Sequence, residues 1–250
     1  MERCATARIP EATGVGDGTV AARTLCGDVE GYTTSVAGVD VEAVRIGPGL
    51  GPSQVLGAVS DRLVFTSSKI GFPMLSQTHV ADHQVCVAYM AATTPGSRWC
   101  EMSLEPGAIV AYAPSAEHTA RNLPGTHFMF VVTDKEQLAE QAELLGLGIR
   151  PPPRGEVHQL ALTASTALVG PAFERFAAKS TPGAYPRSAI ADDVLRAMAH
   201  ALTESDHQRR IGNGRRVDRR HVVHVCLDYA ELIGRIPSVS ELCLAAHVSE

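Results

Sequence analysis

The chain has 250 residues, 45% of them hydrophobic and 20% charged, with a formal net charge of −5. This is an ordinary globular mixture, long enough for one large or two modest domains, and too balanced for a disordered or collagen-like chain. No apolar run approaches the roughly 18 residues a membrane span needs, and the N-terminus lacks the apolar core of a signal peptide, so a cytoplasmic protein is expected. The six cysteines (Cys4, Cys26, Cys86, Cys100, Cys226, Cys243) contain no Cys-x-x-Cys pair. They read as reduced packing residues rather than a zinc or redox site.

From Val39 to Val132 the signals are short strands broken by turns. The strands are expected at Val39–Ile46, Leu63–Phe65, Val85–Met90, Ala108–Tyr112 and His127–Val132. Several are apolar on both alternations, as barrel or sandwich strands are. Between them lie Gly47-Pro-Gly-Leu-Gly-Pro52 and the pairs at Pro95-Gly96, Pro106-Gly107 and Pro124-Gly125, which are turn formers. The pattern predicts an all-β barrel or sandwich over residues 1–133, with the fold of 1–38 left open.

After Val132 the periodicity becomes helical. Thr133-Asp-Lys-Glu136 has the form of a capping box for a helix running to about Leu145, with Gly146 as its stop. Beyond Pro151-Pro-Pro153, residues 160–178 are helical in composition, and Gly170-Pro171 should restart or kink that helix. Ser188–Thr203 is a cleaner helix, with Ile190, Val194, Leu195, Met198 and Leu202 in one arc. Residues 134–206 are therefore expected as a helical connecting region.

Residues 207–224 hold six arginines against one aspartate, a local +5 that leaves −10 on the rest of the chain. With Gly212-Asn-Gly214 inside it, 207–220 reads as a solvated basic linker, one that can also add phosphate contacts beside a nucleic-acid-binding module. In the segment 221–250, Val222, Cys226, Tyr229 and Ile233 make one packed helix. Ser238 can then cap a second, Glu241 can complete its capping box, and Val239, Leu242, Ala245 and Ala246 form its apolar stripe. Ser249-Glu250 repeats the cap signal. These residues suit a helix-turn-helix, and equally an ordinary helical hairpin.

A family comparison favours the first. Residues 219–250, with Asp228-Tyr-Ala-Glu231 and then Pro237-Ser-Val-Ser-Glu-Leu-Cys-Leu-Ala-Ala-His-Val-Ser-Glu250, resemble the opening of the DNA-binding domain of AraC/XylS-type transcriptional regulators. His247 stands where that family often has a turn glycine. The resemblance implies a chain truncated within the first helix-turn-helix, without the recognition helix. The DNA-facing residues it leaves are Arg215, Arg216, Arg219 and Arg220 on the basic stretch and Ser238, Ser249 and Glu250 at the caps. Trp99-Cys-Glu-Met-Ser-Leu-Glu-Pro-Gly-Ala-Ile-Val110 and Ala113-Pro-Ser-Ala-Glu-His118 are in turn similar to the cupin-type effector domain that precedes the DNA-binding domain in many such regulators. The resemblance implies an α+β chain: a cupin-like barrel, a helical connecting and dimerisation region over 134–206 whose helices at 188–203 mediate self-association as a homodimer, and the first helices of an all-α module.

Because cupins also serve as metal enzymes, the histidines need weighing. His118 and Asn122 keep the mutual spacing of the second cupin motif, but His79 and His83 are four apart rather than two, and no glutamate follows until Glu101. The set His79, His83 and His118 is therefore not expected to bind a metal, no cofactor is expected, and the chain reads as a non-enzyme. A sensor needs only an apolar barrel interior with a few polar groups. Tyr89, Trp99, Tyr112, His118 and Phe128 are the candidate lining of that interior, with plain core packing as the other reading of each. The expected function is a transcriptional regulator that binds DNA in its complete form and responds to a small-molecule effector of unspecified identity. The alternatives are a metal-dependent cupin enzyme and a dimerisation module without operator binding.

Overall fold

The computed structural model describes residues 20–100, 102–180, 188–203 and 208–213, together with 238, 239 and 242. The chain divides into two compact units, Met1–Asn213 and Gly214–Glu250. The first unit contains twelve strands and four helices among its described residues. In chain order they are β1 (Val20–Cys26), α1 (Val29–Ser35), β2 (Asp40–Arg45), β3 (Ser53–Val59), β4 (Val64–Lys69), β5 (Met74–His79), β6 (Gln84–Ala92), β7 (Arg98–Trp99), β8 (Ile109–Tyr112), β9 (Glu117–Asn122), β10 (His127–Asp134), α2 (Lys135–Leu144), β11 (Glu156–Leu160), α3 (Val169–Lys179), α4 (Ser188–Ala201) and β12 (Gln208–Asn213).

The strands form two antiparallel sheets, one of eight in the order β1-β3-β4-β10-β6-β8-β11-β12 and one of four in the order β2-β5-β9-β7. This is an α+β architecture with a cupin-like jelly-roll barrel. Its central strand β10, His127-Phe-Met-Phe-Val-Val-Thr-Asp134, explains why the sequence is apolar on both alternations. Phe128, Phe130 and Val132 belong to the core between the sheets, while Met129 and Val131 belong to a second core under the helices. A strand buried on both faces has no solvent side to mark with polar residues. β6 divides the same way, with Cys86, Ala88 and Met90 inward and Val85, Val87 and Tyr89 toward the helices. By contrast β9 covers the cavity with one face only, and it alternates strictly: His118, Ala120 and Asn122 are buried, and Thr119 and Arg121 are exposed.

The three Pro-Gly pairs close the turns their chemistry suggests. Gly96, Gly107 and Gly125 sit at φ 90°, 89° and 93°. In each turn the residue after the glycine donates its N–H to the carbonyl three positions back: Ser97 to Thr94, Ala108 to Glu105 and Thr126 to Leu123, at 2.9, 3.0 and 3.1 Å. Proline fixes the first central φ and glycine alone accepts the second without strain, as a type II turn requires.

The helices build the second core. Leu138 and Ala142 of α2, Phe173 and Phe176 of α3, and Val194, Leu195 and Met198 of α4 pack with Phe65 on the outer face of the large sheet. The Phe65 ring lies 4.9 Å from that of Phe176 and 6.1 Å, edge-on, from that of Phe173, centroid to centroid. Arg62, in the β3–β4 turn, ties two helices to the barrel by pairing with Asp192 of α4 and donating to Gln141 of α2.

The structure moves several sequence expectations. Thr133 does not cap α2: it still belongs to β10, its hydroxyl donates to the Arg62 carbonyl at 2.8 Å, and Asp134 is the N-cap without a side-chain cap bond. The predicted stop holds, because Gly146 at φ +67° carries a pair of closing bonds, from its own N–H to Glu143 and from the Leu147 N–H to the Ala142 carbonyl. Residues 156–160 are a strand, so helix α3 begins only at Val169, after a 3-10 turn (Thr166–Leu168), and Pro171 falls in its first turn where no hydrogen bond is lost. The apolar arc of α4 is spent inside its own chain, with Val194, Leu195, Met198 and Leu202 fully buried. Residues 208–213 of the expected linker form β12, an edge strand paired to β11. Among the described residues no helix is long and apolar enough to cross a membrane.

Candidate functional site: the barrel cavity

Between the two sheets the side chains leave a cavity. The space there, counted together with the solvent at its open mouth, comes to about 460 Å³. Its inner wall is Trp99, Tyr112, His118, Phe128 and Phe130, all buried. Its half-buried lining, Val36 and Val39 after α1, Val41 of β2, and Ser76 and Thr78 of β5, marks the side on which it opens.

His118 is the centre of this arrangement. Antiparallel pairing sets it opposite Thr78 on β5, so both point inward. Its ring is held between Trp99 at 5.1 Å and Tyr112 at 4.9 Å, centroid to centroid, tilted to each. Burial pushes its pKa down to about 4, because an imidazolium there would give up its hydration without a countercharge. At neutral pH it is an uncharged imidazole, a donor on one nitrogen and an acceptor on the other. Its Nδ1 is buried without a hydrogen-bond partner among the described residues, and so is the hydroxyl of Tyr112. Burial raises the Tyr112 phenol well above its ordinary range. Two such atoms on rings in contact stand out, since buried polar groups are nearly always paired.

The rest of the wall is held rigidly. Asn122, four residues from His118 on the same strand face, accepts from the Trp99 indole N–H at 3.0 Å and donates to Ser76 Oγ at 3.5 Å. Tyr32 of α1 reaches Ser68 with its hydroxyl at 3.3 Å. Burial raises the pKa of Tyr32 and of the Cys86 thiol. Among the described residues no Asp, Glu, Lys or Arg lines the cavity, so this lining carries no charge at neutral pH.

Four of the five residues expected as lining come together here: Trp99, Tyr112, His118 and Phe128. Tyr89 does not. Its place on β6 turns it to the helical face, where the backbone of Gly170 lies so close that a Cβ there would stand 2.7 Å from the tyrosine ring. Tyr32, Ser76, Thr78 and Asn122 also line the cavity and escaped the sequence reading. Asn122 keeps the motif's spacing of four from His118, but that spacing alone did not mark it as lining.

The three histidines weighed as metal ligands do not converge. His79 pairs across β5 and β9 with Glu117, on the face opposite His118, and its Nδ1 is 3.5 Å from the Glu117 carboxylate. His83 lies in the β5–β6 turn, 3.6 Å from Asp134. Among the described residues no three His, Cys, Asp or Glu side chains gather as a metal site, so this donor set does not fit one. Of the residues expected to face DNA, Ser238 is described: its carbonyl accepts from the Leu242 N–H at 3.1 Å, one helical turn. Arg215, Arg216, Arg219, Arg220, Ser249 and Glu250 lie outside the described residues, as do the helix expected over 222–233 and Glu101.

No family model matches the sequence, and no curated protein does. Solved structures that resemble it include the AraC-like transcriptional activator CuxR, at 15% identity over 92% of this chain and 85% of that one, with a TM-score of 0.46. ToxT from Vibrio cholerae matches at 7% identity over 85% of this chain and 72% of that one, TM-score 0.33. An RmlC-like cupin from Shewanella frigidimarina matches at 18% identity over 38% of this chain and 83% of that one, TM-score 0.24. At scores this low the fold stands on its own strand order and register.

Proposed function

We propose that this chain is a ligand-responsive transcriptional regulator of the AraC type. The barrel cavity holds the effector, and the segment from Arg219 onward meets DNA. The observation that carries the reading is the cavity itself. A jelly roll folded only for stability would fill its interior or pair its buried polar atoms, whereas this one keeps an opening lined in part by Tyr112 and His118, each of which holds a buried polar atom without a hydrogen-bond partner among the described residues.

The DNA-binding half of the proposal is supported by the motif at Pro237–Glu250 and by the helical turn that opens at Ser238. The six arginines within 207–224 supply a sequence-independent attraction for phosphates. Regulation then requires that the effector bind two arrangements of the chain with different affinity, because a ligand indifferent to them shifts nothing. Self-association completes the proposal, through a surface other than the buried arc of α4.

The test is a titration of the purified chain into fluorescent duplex DNA across a salt series. The proposal expects binding whose log affinity falls linearly with log salt, at a slope up to roughly −5 if each arginine of the net +5 stretch meets a phosphate. No binding at low salt would overturn it.

A further inference from the structure

The chemistry of the cavity narrows what the effector can be. Among the described residues that line it there is no acid, lysine or arginine. A carboxylate, phosphate or ammonium entering this space would lose its hydration with no countercharge to meet it, which is the costliest kind of burial. The walls are mostly aromatic and aliphatic, so the ligand must supply apolar surface to Trp99, Phe128 and Phe130. The two unpartnered atoms, Tyr112 Oη and His118 Nδ1, together offer a donor and a site that donates or accepts with the tautomer. Size limits the rest: the space there, about 460 Å³ with the solvent at its open mouth included, lies toward the low end of small-molecule sites. That suits a compact ligand such as a single ring and excludes an oligosaccharide.

We propose that the barrel cavity binds a small, uncharged, single-ring molecule bearing a hydroxyl, its ring against Trp99 and Phe128 and its hydroxyl at the Tyr112–His118 end. This rests on reading the cavity as an effector site, and it adds the ligand class. The hydroxyl matters because it both donates and accepts, so one group answers both orphaned atoms. A hydrocarbon of the same shape would leave them unpaired, and a carboxylate would bring a charge.

Trp99 is the chain's single tryptophan and forms part of the wall, so its emission reports on this cavity alone. The experiment titrates the full chain at pH 7 with benzyl alcohol, toluene and benzoate, reading Trp99 fluorescence excited at the red edge. The expected result is a saturable change with benzyl alcohol, an affinity roughly tenfold lower for toluene, and one at least about thirtyfold lower for benzoate. In Tyr112→Phe the preference for benzyl alcohol over toluene should shrink toward parity while toluene affinity holds, a result that loss of folding would not give. Benzoate binding as tightly as benzyl alcohol would overturn the uncharged-ligand class, and so would silence of Trp99 toward all three probes. Benzyl alcohol that binds as expected but leaves DNA affinity unchanged would uphold this inference and overturn the effector reading instead.

Discussion

Replacing His118 by phenylalanine should flatten part of the chain's acid sensitivity. His118 is 8% exposed, and burial lowers its pKa to about 4 from 6.5. Between those values the unfolded chain takes up a proton that the folded chain refuses, so stability falls as the pH drops below about 6.5 and the loss levels off near 4. A shift of this size is worth at most about 3 kcal/mol at 1.36 kcal/mol per unit, and between pH 7 and pH 5 the linkage relation gives roughly 2 kcal/mol. Phenylalanine keeps a flat ring between Trp99 and Tyr112 and removes the titration. Urea unfolding at pH 7 and pH 5, for wild type and His118→Phe, isolates the effect as a difference of differences. That cancels His127, whose pKa is also lowered by burial, and the surface carboxylates. The variant should lose about 2 kcal/mol less than wild type on acidification. Equal losses in the two proteins, within about 0.5 kcal/mol, would refute the burial argument.

Other substitutions test the packing around the site. Tyr112→Phe removes an unpaired buried hydroxyl and should leave urea stability unchanged or raise it by up to about 1 kcal/mol, where a loss above that would mean the hydroxyl is satisfied. Gly71→Ala should destabilise by at least about 2 kcal/mol, because the new Cβ would stand 2.3 Å from the Pro52 carbonyl oxygen, a backbone atom that cannot swing aside; a normal Tm in this variant would contradict the close approach. Arg62→Met should cost about 1 kcal/mol, since the pair with Asp192 is partly exposed and screened, and limited proteolysis should then release α4 more readily than the barrel strands.

How much of this was legible in the sequence depends on what each residue faces. β10 and β6 were readable because both faces are buried, and the Pro-Gly turns because only one geometry suits those pairs. α4 was readable because its apolar arc covers one continuous core. β5 was missed for the reason that makes it interesting: Ser76 and Thr78 sit on its inward face, so the strand that lines the cavity has no apolar alternation to betray it. β11 ends where a helical composition begins, and β12 is written in arginines, so both read as something else. Thr133 had the spacing of a cap but is held in β10 by Arg62, a tertiary partner no local pattern reveals. In the site, His118 was legible through the cupin-like motif, whose spacing Asn122 also keeps, but nothing in that spacing marked Asn122 as lining. Tyr89 was misplaced because a strand apolar on both faces gives no clue which face looks inward.

If the chain is a ligand-responsive regulator, a molecule held beside Trp99 and His118 changes how it meets DNA. The most direct measurement is the DNA affinity of the chain by fluorescence anisotropy, at fixed low salt, with and without a saturating ligand identified by its effect on Trp99 emission. The expected result is a change of roughly fivefold or more, the ordinary lower range of allosteric coupling, and the reciprocal change in ligand affinity when DNA is saturating. A ligand that saturates the cavity while DNA affinity stays the same would contradict it.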